Sequence, residues 1–135
     1  MLVQQVPIQY VHAAWPKVEQ FIASALVYSQ GEYNVEHAKA YLAQGSWTLF
    51  VALDDEGEVR GAACVQFNNR PTDRVAFVVA IGGKLMTNKD TWAQFVEILK
   101  ANGATCVEGA ARESIARLWT RYGFEEKYRI VGVRI

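Results

Sequence analysis

The sequence is poor in cysteine, which limits what can hold the fold together. Among 135 residues only Cys64 and Cys106 occur. Each lies in an apolar, strand-like run, and this predicts two buried structural thiols rather than reactive ones. Because no signal peptide is recognisable, we expect a reducing compartment, the cytoplasm, and no disulfide.

The sequence also lacks an excess of charge and any long apolar run. Lys plus Arg and Asp plus Glu both number 14, so the formal net charge is zero. This balance gives no support for a nucleic-acid or anionic-membrane partner, and it opposes a homo-oligomer only weakly. No apolar run approaches the roughly 18 residues needed to cross a bilayer. A soluble protein without nucleic-acid or membrane partners is therefore expected.

Histidine is scarce as well. His12 and His37 have no cysteine or carboxylate at the spacing of metal ligands. Surface or helix-capping roles are expected for both histidines, and no metal site is expected.

What the sequence does contain is hydrophobic periodicity interrupted by glycine and asparagine. Helical spacing predicts helices over 13–29, 35–44, 87–102 and 112–122. The β-prone runs predict strands over 3–10, 47–53, 59–67, 74–81 and 105–109, with a short one after Phe124. Pro7 makes the first strand an edge strand or breaks it. Gly82 and Gly83 are expected to end the fourth strand, and residues 87–90 have capping-box spacing.

The element order is thus β-α-α-β-β-β-α-β-α-β. This order predicts an α/β (α+β) fold in one domain, 1–135. Its centre would be a mixed, twisted sheet of about six strands with helices on both faces.

The last helix has the most specific pattern. Gly123 is placed to end it and Phe124 to fold back onto its apolar stripe, which contains Ile115, Leu118, Trp119 and Tyr122. A strand and then a helix ending in Leu-aromatic-x-x-x-Gly-Phe resembles the C-terminal half of the GNAT (Gcn5-related N-acetyltransferase) fold. The element order resembles that fold along essentially the whole chain. Family members usually end with two strands, so the eleven residues after Phe124 imply a shortened C-terminus.

The resemblance implies acetyl-CoA between the fourth and fifth strands. Backbone N–H groups of the fourth strand, near Val79 and Ile81, would polarise the thioester carbonyl. Arg112 would be a further contact, and the pyrophosphate would lie over a loop and helix start containing Gly82, Gly83, Lys84, Asn88 and Lys89. The family's R/Q-x-x-G-x-G/A motif is not matched there, so an ordinary strand exit and capped helix is the alternative. Asp90 would repel phosphate if it faced the loop.

The catalytic residues that the resemblance implies are only partly present. The family's proton donor is often a tyrosine where this chain has Trp119, and indole has no useful titrating group. Tyr122 would replace it only on a rotated or shifted helix, and a core position is the alternative. Glu108 is the candidate general base, acting through water. Its alternative is an ion pair with Arg112 or a solvent-facing position.

A narrower resemblance is to small GNAT-like proteins of tailed bacteriophages and prophages. The matching features, in order, are Leu49–Ala52 before an acidic turn, Val59–Ala62, Gly82-Gly83, Trp92 with Gly103, and Arg112 to Phe124. Two functions follow. One is an acetyl-CoA-dependent N-acetyltransferase acting on a small amine, a protein N-terminus or a lysine, in the host cytoplasm. The other is an inactive virion or assembly component that binds other phage structural proteins.

Overall fold

A mixed sheet of five strands, in the spatial order β1-β2-β3-β4-β5, organises the chain. The computed structural model describes all residues, 1–135. The strands are β1 (Leu2–Val6), β2 (Thr48–Leu53), β3 (Val59–Asn69), β4 (Arg74–Gly83) and β5 (Cys106–Gly109). The helices are α1 (Val11–Leu26), α2 (Val35–Gln44), α3 (Lys89–Ala101) and α4 (Glu113–Trp119), with short 3-10 helices at Ile8–Tyr10 and Thr120–Tyr122.

The first four strands are antiparallel to their neighbours, and β5 is parallel to β4. A tight turn joins β2 to β3: Gly57 takes a φ of +79°, and one carboxylate oxygen of Asp54 accepts hydrogen bonds from the backbone of Glu56 and Glu58. A parallel pair needs a long crossover connection, and α3 supplies it between β4 and β5.

The core lies on both faces of the sheet. On one face α1 and α2 cover β2, β3 and β4, with Val18, Ile22 and Leu42 almost fully buried. On the other face α3 and α4 pack through Phe95, Leu99 and Trp119. Helices on both faces are what the sequence predicted. None of these helices combines the length and apolar character that crossing a membrane requires.

One expectation about strands is wrong. The sheet has five strands rather than about six, because residues 125–135 form no strand and make no main-chain hydrogen bond. The glycine pair does end β4, as expected, although its two residues still pair with Ala62 and Gly61, so the strand runs two residues past the predicted end at 81. The first strand does end before Pro7 and lies at the edge of the sheet, as expected.

The helix caps and thiols agree with the predictions in part. Asn88, not Thr87, caps α3, and its side-chain oxygen accepts from the Thr91 backbone N–H. His37 is a capping residue, because its Nδ1 accepts from the Asn34 backbone N–H in a capping box. Cys64 is buried, whereas Cys106 is only half-buried.

Candidate functional site

The candidate site is a notch where β4 and β5 separate. The two strands pair only over residues 75–78 and 106–109. Beyond Val78, β4 runs on to Gly83, while the chain after Gly109 leaves the sheet and enters α4. One edge of β4 therefore has no strand partner over residues 79–83, and its main-chain polar groups on that side are free to bind a ligand.

A β-bulge lies at the base of this notch. The register of β3 against β4 shifts between Cys64, opposite Ala80, and Val65, opposite Val78. Val79 is thus left without a counterpart on β3. Bulges of this kind bend a strand and redirect its peptide groups, and they are frequent next to active sites.

A cavity of about 280 Å³ occupies the notch and has a mostly apolar lining. Five of the predicted cofactor residues line it: Val79, Ile81, Gly82, Gly83 and Arg112. The other lining residues come from α1 and the turn after it, from β4 and the loop after it, from the loop after β5 and from α4: Ser24, Ala25, Tyr28, Val78, Ala80, Met86, Thr87, Ala110, Ala111, Ile115, Leu118 and Trp119. Lys84, Asn88 and Lys89 are not among them.

The glycine pair has a packing role as well as a place in the lining. A Cβ on Gly82 would lie 2.5 Å from the carbonyl oxygen of Phe21 on α1. A Cβ on Gly83, whose φ is +71°, would lie 2.4 Å from the carbonyl oxygen of Arg60. Both positions need glycine because backbone approaches them closely, whether or not a phosphate binds beside them.

Two polar side chains at the start of α3, Asn88 and Asp90, are engaged away from the loop after β4. Asn88 is used as the helix cap. The Asp90 carboxylate accepts from Gln94, which also bonds to the backbone of Met1 and Val3 beside β1. Asp90 is thereby held toward β1, so the repulsion of phosphate expected for a loop-facing Asp90 is reduced.

Aromatic side chains form the α4 side of the notch. Trp119 is buried, and a Cβ on Gly109 would lie 2.9 Å from its ring. Its ring also packs on Phe124, with centroids 5.1 Å apart, so Phe124 folds back onto the helix as predicted. The position where the family resemblance expects a proton donor is therefore filled by a large apolar wall.

Tyr122 lies in the adjoining core and not in the cavity lining. Its hydroxyl donates a 3.0 Å hydrogen bond to the backbone carbonyl of Met86, and its ring lies 5.5 Å from that of Trp92. A catalytic role for Tyr122 stays a prediction, and it requires this hydroxyl to be released from Met86.

Glu108 is held by two cations that the sequence did not reveal. Arg70 donates to both carboxylate oxygens, at 2.7 and 2.9 Å, and Lys127 donates at 2.5 Å. The expected partner Arg112 is not involved. The hydrogen bonds from Arg70 and then from Lys127 lower the pKa of Glu108 to about 2. A carboxylate with so low a pKa is a weak base, and its role as general base stays a prediction.

Arg112 instead contacts Tyr28. Its guanidinium carbon lies 4.0 Å from the centroid of the Tyr28 ring, a cation–π distance. Both residues line the cavity and both are exposed, so the contact joins the end of α1 to the start of α4 at the cavity. Sequence reasoning missed Tyr28, because it lies beyond the apolar stripe of α1 and in no motif.

The thiols take no part in this site. Burial raises the pKa of Cys64 to about 12 and, with Asp73 and Glu108 nearby, also raises the pKa of Cys106. Neither thiol is activated as a nucleophile.

Comparison with other proteins establishes the fold. No protein-family model and no curated protein sequence matches the chain. Solved structures do match, among them a probable acetyltransferase at 12% identity, covering 100% of this chain and 98% of that one, with a TM-score of 0.71. A ribosomal-protein-alanine N-acetyltransferase from Brucella melitensis biovar Abortus 2308 matches at 14% identity, covering 98% and 97%, with a TM-score of 0.69.

A third match is an aminoglycoside N-acetyltransferase in complex with CoA, at 14% identity, covering 98% and 93%, with a TM-score of 0.65. At such identities the likeness concerns the fold. The chain has the α+β fold of the GNAT acetyltransferases, with five strands rather than the expected six.

Proposed function

We propose that the protein is a GNAT-superfamily N-acetyltransferase that binds acetyl-CoA in the notch between β4 and β5. The observation that carries the proposal is the notch itself. In this chain, which has the fold of acetyltransferases, an unpaired edge of β4, a bulge at Val79 and an apolar cavity lie at the same place.

The residues present fit part of this cofactor. A cavity of about 280 Å³ is slightly smaller than typical small-molecule sites, which are about 300–1,000 Å³. It suits the narrow, amide-containing arm of the cofactor, whose polar groups would pair with the free peptide groups of residues 79–83. The nucleotide would lie outside, over Gly83 and the start of α3, where Lys84 and Lys89 are exposed.

Bound there, the thioester would supply an activated acetyl group for transfer to an amine. The chain's own contribution is orientation and polarisation. A backbone N–H near Val79 or Ile81 would donate to the thioester carbonyl oxygen. Trp119 and Ile115 would exclude water from one side of the reacting centre.

Proton handling is the unusual part of the proposal. Glu108 does not line the cavity, and its low pKa suits orientation of a water molecule better than direct removal of a proton. Solvent would then be the final proton acceptor. A slow transferase is the expected result.

The acceptor would be a primary amine. Two of the matched proteins are named for acceptors of different size. One is an aminoglycoside N-acetyltransferase, and the other is a ribosomal-protein-alanine N-acetyltransferase. A small amine, a protein N-terminus and a lysine all remain in the proposed class.

A titration with acetyl-CoA tests binding, by calorimetry and by thermal unfolding. Ligand at about 100 times its dissociation constant should stabilise the fold by about 2.7 kcal/mol. Ala111 is exposed and lines the cavity, so Ala111→Phe should abolish the stabilisation. Ala116 is exposed on α4 outside the cavity, and Ala116→Phe is the matched control that should retain it. Absence of any stabilisation at millimolar acetyl-CoA, or equal binding by both variants, contradicts the proposed site.

A second candidate is a GNAT-like phage protein without catalysis, serving in the virion or its assembly. Three observations favour it: Trp119 replaces the donor, the Tyr122 hydroxyl is bonded to Met86, and Glu108 is bound by two cations. Mass spectrometry of purified particles tests it. A fixed copy number per particle is expected, and absence from particles excludes this function and its location. If the purified protein transfers acetyl groups, it is a catalyst and this second candidate is contradicted.

A further inference from the structure

The loop that follows β4 is folded against β3 and not over the notch. The backbone N–H of Lys84 donates a 2.9 Å hydrogen bond to the carbonyl oxygen of Arg60. The backbone nitrogens of Lys84 and Leu85 both lie 2.8 Å from the position that a Cβ on Gly61 would take, and the Leu85 side chain is fully buried. The first amides of this loop therefore contact β3 and form no cradle open to a phosphate.

The start of α3 adds little to this side of the notch. The Asn88 side chain is used to cap the helix, where it accepts from the backbone N–H of Thr91. Asp90 is held toward β1, but its negative charge remains in the first turn and offsets the attraction of a helix start for anions. Lys84 and Lys89 are exposed and do not line the cavity. No side chain on this side is held in place for a second phosphate.

Arg112 is the only charged residue that lines the cavity. Gly109 lies opposite Val78 at the closed end of the notch, and β5 runs parallel to β4. The chain continues through Ala110 and Ala111, both in the lining, to Arg112 at the N-cap of α4. Arg112 therefore lies toward the carboxyl end of β4, away from the closed end of the notch.

The course of α1 agrees with this position. Its first residue, Val11, lies near the start of β2, and Phe21 lies against Gly82 near the end of β4. Because β2 and β4 run in the same direction, α1 runs the same way as β4. Tyr28, seven residues beyond Phe21, thus lies at the carboxyl end of β4, with the guanidinium of Arg112 4.0 Å from its ring.

Between its closed end and Arg112, the notch presents a strip of free peptide groups. The unpaired edge of β4 runs from Val79 to Gly83, roughly 13 Å of extended chain. Apolar side chains flank it, among them Ile115 and Trp119 of α4. A slender ligand with amide groups along its length and one phosphate at its end matches this succession of contacts.

We infer that the notch recognises the S-acyl 4′-phosphopantetheine arm of its donor, and that recognition ends at the single phosphate of that arm. The inference rests on the proposed function, because it concerns the same site. The amides of the arm would pair with the edge of β4, and its phosphate would bind Arg112 in exchange for Tyr28. The second phosphate and the nucleoside of coenzyme A would extend into solvent without a partner. A donor with the arm and no nucleotide is then as good a ligand as coenzyme A.

Calorimetry with four ligands tests the inference: coenzyme A, 4′-phosphopantetheine, pantetheine and adenosine 3′,5′-bisphosphate. Coenzyme A and 4′-phosphopantetheine should bind within about threefold of each other, because only exposed charges lie near the nucleotide. Pantetheine should bind about tenfold more weakly, since it lacks the phosphate that Arg112 binds. Adenosine 3′,5′-bisphosphate should show no binding at millimolar concentration.

Two variants locate the phosphate. In Arg112→Ala, 4′-phosphopantetheine and pantetheine should bind equally, because the phosphate has lost its partner. Arg121 is exposed and outside the cavity lining, so Arg121→Ala is the matched control that should keep the tenfold difference between these ligands.

Three results would each overturn the inference: coenzyme A binding more than about tenfold tighter than 4′-phosphopantetheine, measurable binding of the bisphosphate, or a phosphate effect that survives Arg112→Ala. Tighter binding of coenzyme A would do so while leaving the proposed function intact. If none of the three ligands that contain the arm binds, the site itself is contradicted, and the proposed function fails with the inference.

Discussion

The Arg112 guanidinium lies 4.0 Å above the ring of Tyr28, and both side chains line the cavity between β4 and β5. At an exposed site such a contact is worth about 0.5–1 kcal/mol. A phosphate group binds a guanidinium more strongly than this, so Arg112 can exchange Tyr28 for a bound anion. The contact thus holds the one cation in the cavity lining where it would be available to a phosphate of the proposed cofactor.

Arg112→Ala should weaken acetyl-CoA binding by about tenfold, because it removes a charge-assisted hydrogen bond. Calorimetry at low and high salt measures the loss, which should shrink as salt rises. Arg121→Ala is the control, since Arg121 is exposed and outside the cavity lining. Equal losses in the two variants would show a general charge effect and no role for Arg112.

Trp119→Tyr should raise the rate of acetyl transfer by about 100-fold or more, if a phenol there donates a proton to the departing thiolate. Trp119→Phe has a similar shape without the hydroxyl and should give no increase. A discontinuous assay of free thiol release with a small amine measures both. If both variants are equally slow, the missing phenol does not limit this protein.

Gly82→Ala should destabilise the fold by about 1–3 kcal/mol, because its Cβ would push against the Phe21 carbonyl oxygen. A Cβ on Gly132 meets nothing within 4 Å, so Gly132→Ala should change stability by less than about 0.5 kcal/mol. Urea unfolding measures the difference. A neutral Gly82→Ala would mean that α1 moves away from β4 at no cost.

Glu108→Gln should lower stability in a way that depends on pH. Arg70 and Lys127 lower the pKa of Glu108 from 4.5 to about 2 in the folded chain, so the ionised carboxylate favours folding. This contribution is complete above about pH 4.5 and is lost as the pH falls toward 2. The gap in urea midpoint between wild type and variant should be constant from pH 8 to 5 and close below that.

Glu97→Gln is the control for this titration, because Glu97 makes only an exposed ion pair with Lys100. Its urea midpoint should follow wild type throughout. A gap for Glu108→Gln that persists to pH 2 would contradict the ion-pair explanation.

Local signals predicted most of the fold. Gly123, which was expected to end the last helix, takes a positive φ, and so do Gly31, Gly45, Gly57 and Gly103 in other turns and at helix ends. The Gly82-Gly83 pair was expected to end β4 and does so, but the need for glycine there comes from backbone distant in sequence, Phe21 on α1 and Arg60 beside β3, which no local pattern indicates. The strand expected after Phe124 does not form, because β propensity is a weak preference that needs pairing to complete it, and residues 125–135 make no main-chain hydrogen bond.

The candidate site shows the same contrast between residues that could be predicted and contacts that only tertiary packing creates. The family resemblance pointed to Val79, Ile81 and Arg112, and these three residues line the cavity where β4 and β5 separate. The partners of Glu108 are 38 and 19 residues distant, and no spacing rule connects them. The helix α1 ends at Leu26, three residues before the predicted end at Ser29, so Tyr28 lies beyond it. Only tertiary packing brings Tyr28 to Arg112.

The short pairing of β4 with β5 also has a kinetic consequence. β2, β3 and β4 are joined by tight connections and can assemble early, because their contacts are close in sequence. The four-residue β5 joins only after α3 has crossed the sheet, and few main-chain bonds hold it. Its amides should therefore exchange with solvent faster than those of β3. A ligand spanning the notch would slow that exchange by holding together the last two strands to meet.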